Sequence, residues 1–170
     1  MLVMSLYFSL LYQAKALLPE RYGSASSGVA EAVEDYGEQG LQRLLSDKIL
    51  LSRLIQKGLP LEVFREVEAR LPYSEPEWAE LLNITSKTLQ RYKAEPGYRF
   101  KALHSEKILE LASLVVLGEA TFNDGSTFQR WLTAPCTALG GVAPSEFVRD
   151  SFGQELVRAE LIRIEHGIFS

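Results

Sequence analysis

Apolar positions along the chain recur at helical spacing. Val29, Ala32, Val33 and Tyr36 stand at i, i+3, i+4 and i+7, the period that puts them on one face of an amphipathic helix. Gly37 and Gly40 interrupt that pattern. Leu41, Leu44, Leu45, Ile49, Leu51, Leu54 and Ile55 then form a dense stripe that Gly58 and Pro60 stop. Leu61, Phe64, Val67 and Leu71 predict a third helix ended by Pro72, with Glu62, Arg65, Glu66, Glu68 and Arg70 on its polar side. Ile108, Leu109, Ala112, Val115 and Val116 predict a long buried helix, N-capped by Ser105 and ending near Gly118. Ser126 is expected to cap a short helix holding Phe128, Trp131 and Leu132. Gly140-Gly141 marks a turn, and Pro144 suits the first turn of another short helix, which Gly153 breaks. Leu156, Val157, Leu161 and Ile164 give a last helix with Gly167 as its stop. Strand-like alternation is weak throughout, and no internal repeat is found. The expected fold is all-α, a helical bundle of about seven to nine helices of ordinary length.

Met1 to Leu18 forms an apolar run of a different kind. It is too short to span a bilayer. It lacks the positive n-region of a secretory signal, although Ala14-Lys15-Ala16 mimics a small-x-small cleavage site. The expectation is a helix or strand packed on the body or on a second copy, or else a gene start placed too early. Gly23 to Gly28 is a small-residue break that marks a boundary. The chain thus divides into an apolar leader and break at 1–28 and helical segments at 29–58, 59–118 and 119–170.

Composition adds limits. At 170 residues, with 46% hydrophobic and 24% charged, the chain is an ordinary globular one, long enough to bury a core without staples. The single cysteine, Cys136, excludes an internal disulfide and fits a reducing cytoplasm. A net charge of −4 excludes a wholly basic nucleic-acid coat. It leaves room for a local basic patch.

Residues 75–93 carry the sharpest signal, and such a patch lies at 85–101. Two helices crossing through a tight turn need a small residue at the crossing, supplied by Ala79. The turn needs a residue that tolerates positive φ, and Asn83 is second only to glycine there. Ile84 plugs the angle, Thr85 or Ser86 caps the second helix, and Trp78, Leu82, Leu89 and Tyr92 form the shared core. The positions left exposed are Ser86, Lys87, Gln90, Arg91 and Lys93, side chains suited to base edges and phosphates. Between Thr85 and Lys101, Lys87, Arg91, Lys93, Arg99 and Lys101 face Glu95 alone, so the acidic excess lies elsewhere. This is a helix-turn-helix with operator DNA as the expected partner. One unit reads only a few base pairs, so a homodimer is expected.

Catalytic signatures are missing. His104 and His166 have no His or Cys neighbour at metal-ligand spacing, so no metal is expected. No glycine-rich phosphate loop appears. Cys136 with His166 is too isolated a pair to read as a thiol nucleophile and its base. No cofactor and no enzyme activity are expected.

The last third carries an ordered series: Trp131-Leu132, Pro135, Ala138-Leu139-Gly140-Gly141, Pro144, Phe152-Gly153, Val157, Leu161 and Arg163-Ile164-Glu165-His166-Gly167. This series resembles the Xre/MbcA/ParS family of antitoxins over about residues 60–170, helix-turn-helix included. Cys136 and Thr137 depart from the family pattern. The resemblance implies a type II toxin–antitoxin role in which the chain is the antitoxin. Its partner would be a RES-domain toxin, a small enzyme that consumes NAD or transfers ADP-ribose from it. The C-terminal block would bind the toxin and cover its active-site cleft, and the helix-turn-helix would bind the operator of its own operon. By position, Arg163, Glu165 and His166 fall in the toxin-binding motif, with the tail residues Phe169 and Ser170 near the cleft. The competing reading of Arg163 to His166 is a self-capped helix end, with His166 bonding terminal carbonyls. The competing function is a plain helix-turn-helix regulator whose C-terminal block dimerises or senses a ligand.

Overall fold

The computed structural model describes residues 2–17 and 44–167. The helix face expected from Val29 to Tyr36, the break at 23–28, Leu41, and the tail residues Phe169 and Ser170 lie outside them. The described residues bear out the all-α expectation: they form helices joined by short turns, with only two isolated β-bridges, Pro60 to Arg99 and Cys136 to Val142. In chain order the helices are α1 (Leu2–Leu17), α2 (Lys48–Lys57), α3 (Leu61–Glu68), α4 (Glu75–Leu81), α5 (Ser86–Ala94), α6 (Ala102–Phe122), α7 (Gly125–Thr133), α8 (Pro144–Phe147) and α9 (Ser151–Glu165). A 3₁₀ turn, Thr137–Leu139, joins α7 to α8.

The centre of the molecule is α6. It buries Ile108, Leu109, Leu111, Ala112, Leu114, Val115 and Val116, which cover well over half of its circumference and leave Leu103 and Glu106 exposed. A helix with so wide an apolar face must be covered by several neighbours. Helices α2, α3, α7 and α9 pack against it, and α1 lies across α2 and α3. The apolar leader is therefore part of the body, with Leu6, Leu10, Leu11 and Ala14 in the shared core. No helix among the described residues is long and apolar enough to cross a membrane.

Several local expectations shift. The stripe before Gly58 is cut by Asp47, whose carboxylate caps α2 by accepting from the backbone N–H of Ile49 (3.0 Å) and Leu50 (3.1 Å). Leu50 and Leu54 are the buried residues of α2, while Ile49 is half exposed. Ser105 does not cap α6, which starts at Ala102. Its hydroxyl is buried instead, accepting from Leu59 N–H (2.9 Å) and donating to Phe100 C=O (3.0 Å). Nor does α6 end at Gly118. It runs to Phe122, and Gly118 is there because a Cβ would overlap the Phe128 ring. Asp124, not Ser126, caps α7; its carboxylate accepts from Thr127 N–H (2.8 Å) and from the Ser126 hydroxyl (2.6 Å).

Arg70 was expected on the polar side of α3. It is only 3% exposed. It pairs with Glu66 (2.9 Å) and lies 3.6 Å from buried Glu119 on α6. A buried charge needs such partners, because desolvation of an unpaired one costs several kcal/mol. Gln129 of α7 closes the same junction by donating to the carbonyl of Arg70 (3.1 Å).

Gly153 likewise does not break a helix. It sits in the first turn of α9, where the backbone of Phe147 packs directly on it. Gly153→Ala should therefore force α8 and α9 apart. The expected destabilisation is about 1–3 kcal/mol, as for other overpacked sites, read as a lower urea midpoint with unchanged slope.

Candidate functional site

Helices α4 and α5 pack on each other as a helix-turn-helix. Pro76 lies in the first turn of α4, and Glu77 accepts from Ser74 N–H at 2.7 Å. The Ser74 hydroxyl first, and that backbone bond second, hold the Glu77 carboxyl below its ordinary pKa. Asn83 has φ +53 in the turn, and the Ile84 N–H donates to Ala79 C=O across the crossing. Thr85 caps α5 by accepting from Thr88 N–H at 3.1 Å. Trp78, Ala79, Leu82 and Leu89 are buried. The pair is fastened to the body by aromatic rings: Phe64 of α3 meets Trp78 edge-on at 5.2 Å, and Phe100 meets Tyr92 edge-on at 6.0 Å.

Of the residues expected on the outward face of α5, Lys87, Gln90 and Arg91 are exposed, and Ser86 is half-buried at the helix start. Arg91 lies over the Tyr92 ring, 5.5 Å from its centre. Lys93 differs from the expectation. Its ammonium is held by Glu68 (2.5 Å) and Glu75 (3.4 Å) and is 23% exposed. It is a strut between α3, α4 and α5 rather than an open phosphate contact. Gln90 also reaches α4, donating from Nε2 to Glu75 at 2.7 Å. The Gln90 bond first, and Lys93 second, keep the Glu75 carboxyl below its ordinary pKa.

The C-terminal block is bolted to these helices. Tyr73, half-buried beside Trp78, donates its hydroxyl to the Ser145 carbonyl at 2.8 Å. Burial drives its pKa well above the ordinary phenol value. Arg149 pairs with Glu80 (2.7 Å) and reaches Glu77 (3.9 Å), and those carboxylates raise its pKa further. Sequence reasoning missed Glu75 and Arg149 because their partners lie 15 and 69 residues away.

Helix α9 anchors through Val157 and Leu161, with Ile164 partly buried. Leu156, expected among these anchors, is 52% exposed. It shares an outward ridge with Phe152, 80% exposed, while Ile162 is 41% exposed farther round the same helix. The i, i+4 spacing of Phe152 and Leu156 is the signal that could have revealed the ridge. Arg163 bonds Glu160 at 3.2 Å. Glu165 and His166 are exposed at the helix end, where the His166 backbone N–H donates to Ile162 C=O and Gly167 turns the chain at φ +68. Among the described residues no group of three or more His, Cys, Asp and Glu side chains is placed to hold a metal.

Two comparisons bear on these surfaces. Residues 50–113 match the family described as the antitoxin Xre-like helix-turn-helix domain. Residues 117–167 match the antitoxin Xre/MbcA/ParS C-terminal toxin-binding domain. The chain is also similar to the Prs ADP-ribosylating antitoxin of Sphingobium sp. (strain YBL2), with 29% identity over 126 residues that cover 69% of this chain and 79% of the relative.

The positive φ at Asn83 makes a clean test of the turn. Asn83→Gly should be nearly neutral, whereas Asn83→Val should destabilise the protein by roughly 1–2 kcal/mol, the penalty for a bulky residue in the left-handed region. Thermal unfolding of the two variants checks this.

Proposed function

The chain belongs to the Xre/MbcA/ParS family of antitoxins, and on that premise we propose that it neutralises a RES-domain toxin and represses its own operon. The observation that carries the reading is the pairing, on one chain, of a helix-turn-helix with a segment matched to a toxin-binding domain. The relative's name links it to ADP-ribosylation, the kind of NAD-consuming chemistry expected of a RES toxin.

On the DNA side, α5 enters the major groove. Lys87, Gln90 and Arg91 face the base edges and phosphates, and Ser86 lies at the helix start. Lys93 contributes by holding α5 against α3 and α4. Two half-sites require two copies, so the chain acts as a homodimer with residues 29–58 supplying much of the contact. Leu50 and Leu54 are spent on packing within the chain, which leaves exposed Ile49 as the apolar contribution of α2. Phe8 and Tyr12 of α1 are exposed as well and can join that contact. A partner toxin and an operator both put its work in the cytoplasm.

On the toxin side, the outward ridge of α9 and the chain end press into the toxin's cleft. Phe152 and Leu156 offer an apolar anchor of the kind that dominates interface energy, and Ile162 adds an exposed apolar group farther round α9. Arg163, Glu165 and His166 follow at the helix end, and Phe169 and Ser170 are the further residues proposed to meet the toxin. An arginine and a carboxylate there can form charge-assisted hydrogen bonds.

Two outcomes test the reading. Lys87→Ala with Arg91→Ala should weaken operator binding in a mobility-shift titration, with Arg91 alone contributing about 1–3 kcal/mol where it pairs with a guanine edge. Unchanged affinity in the double variant removes this face from the interface. Truncation after Ile162 should keep DNA binding but fail to protect cells expressing a cognate RES-domain toxin. Protection at equal expression would show that residues 163–170 are dispensable and leave the toxin contact to residues 119–162.

A further inference from the structure

The hydrogen bond between Gln90 and Glu75 has a chemical polarity. An ionised carboxylate only accepts, whereas a glutamine amide has one accepting end and one donating end. Glu75 therefore takes the donating end, and the 2.7 Å contact is from Gln90 Nε2. With the amide held this way round, Gln90 keeps its second Nε2–H and its Oε1. Side by side, those two groups match N7 and the N6 amino group of adenine in the major groove. The opposite orientation would bring Oε1 against the carboxylate, two acceptors facing each other.

The surroundings support a positioning role. Gln90 is exposed on the same side of α5 as Lys87 and Arg91. The second oxygen of Glu75 faces Lys93 at 3.4 Å, and Lys93 is itself pinned by Glu68 at 2.5 Å. That ammonium compensates the carboxylate beside a surface that must approach phosphates. The hydrogen bond from Gln90 and the nearby ammonium also keep Glu75 ionised, hence acceptor-only.

We infer that Glu75 is a positioning residue that sets the side-chain amide of Gln90 in one orientation for recognition of an adenine. The inference rests on the reading of α5 as the helix that enters DNA. Glu75 itself touches no base. A merely structural tie between α4 and α5 would affect stability but not base preference, so base preference is the quantity to measure.

The full chain, Gln90→Ala and Glu75→Gln are each used to select bound duplexes from a random pool. Affinities for single-base variants of the selected duplex are then titrated. The wild type should favour adenine at one position per half-site by about ten-fold or more, and Gln90→Ala should lose that preference. Glu75→Gln, where a neutral amide both donates and accepts, should keep the preferences at neighbouring positions and lose several-fold at the adenine alone. A wild-type profile in Glu75→Gln overturns the positioning role. An unchanged profile in Gln90→Ala overturns the assignment of the adenine reader. If the wild type enriches no sequence, the reading of α5 as a DNA-recognition helix fails, and this inference falls with it.

Discussion

A helix whose apolar face spans well over half of its circumference must be covered by several neighbours, and α6 is such a helix, with only an edge carrying Leu103 and Glu106 left to water. That requirement organises the rest of the chain. Helices α2, α3, α7 and α9 surround α6, and α1 covers the outside of α2 and α3. Close approach then becomes the local rule. Gly118 admits the Phe128 ring, and Gly153 admits the backbone of Phe147. Where charge enters this interior it arrives with partners: Arg70 comes with Glu66 and Glu119.

The two matched segments meet within this arrangement and not at a linker. The first ends at residue 113 and the second begins at residue 117, and both points lie inside α6. A boundary at 118/119 falls in the same helix. The C-terminal segment also grips the first helix of the helix-turn-helix through Tyr73 to Ser145 and Arg149 to Glu80. The surface that carries Phe152 and Leu156 starts three residues beyond Arg149. The two faces of the molecule thus share one core and a short polar bridge.

The helix-turn-helix was the most legible part of the sequence because its requirements are local. Ala79, Asn83, Ile84 and Thr85 each meet a steric or hydrogen-bonding demand set within a few residues, and each behaves as read. Assignments that depend on distant partners were not legible. Ser105 looks like a cap by its type, but Leu59 and Phe100 draw its hydroxyl into the core. Arg70 and Lys93 look like solvated cations until Glu119 and Glu68 arrive from other helices. Leu156 fits an apolar period that α9 satisfies with Val157 and Leu161 instead. Glycines were read as breaks, although Gly118 and Gly153 sit where another part of the chain comes too near for a side chain.

The capture of cations by the fold also sets how the molecule meets an electrolyte. Of the five basic residues between Thr85 and Lys101, Lys93 is neutralised by two carboxylates, and Arg99 is bound to Gln13 and the Gly58 carbonyl. Lys87, Arg91 and Lys101 remain to displace counterions from a duplex. Each phosphate neutralised steepens the fall of log affinity with log salt by about 0.9. On the proposed reading of α5 as the DNA-facing helix, two copies meeting a duplex through these three cations would carry a slope of about −5, so binding would fall steeply as ionic strength rises.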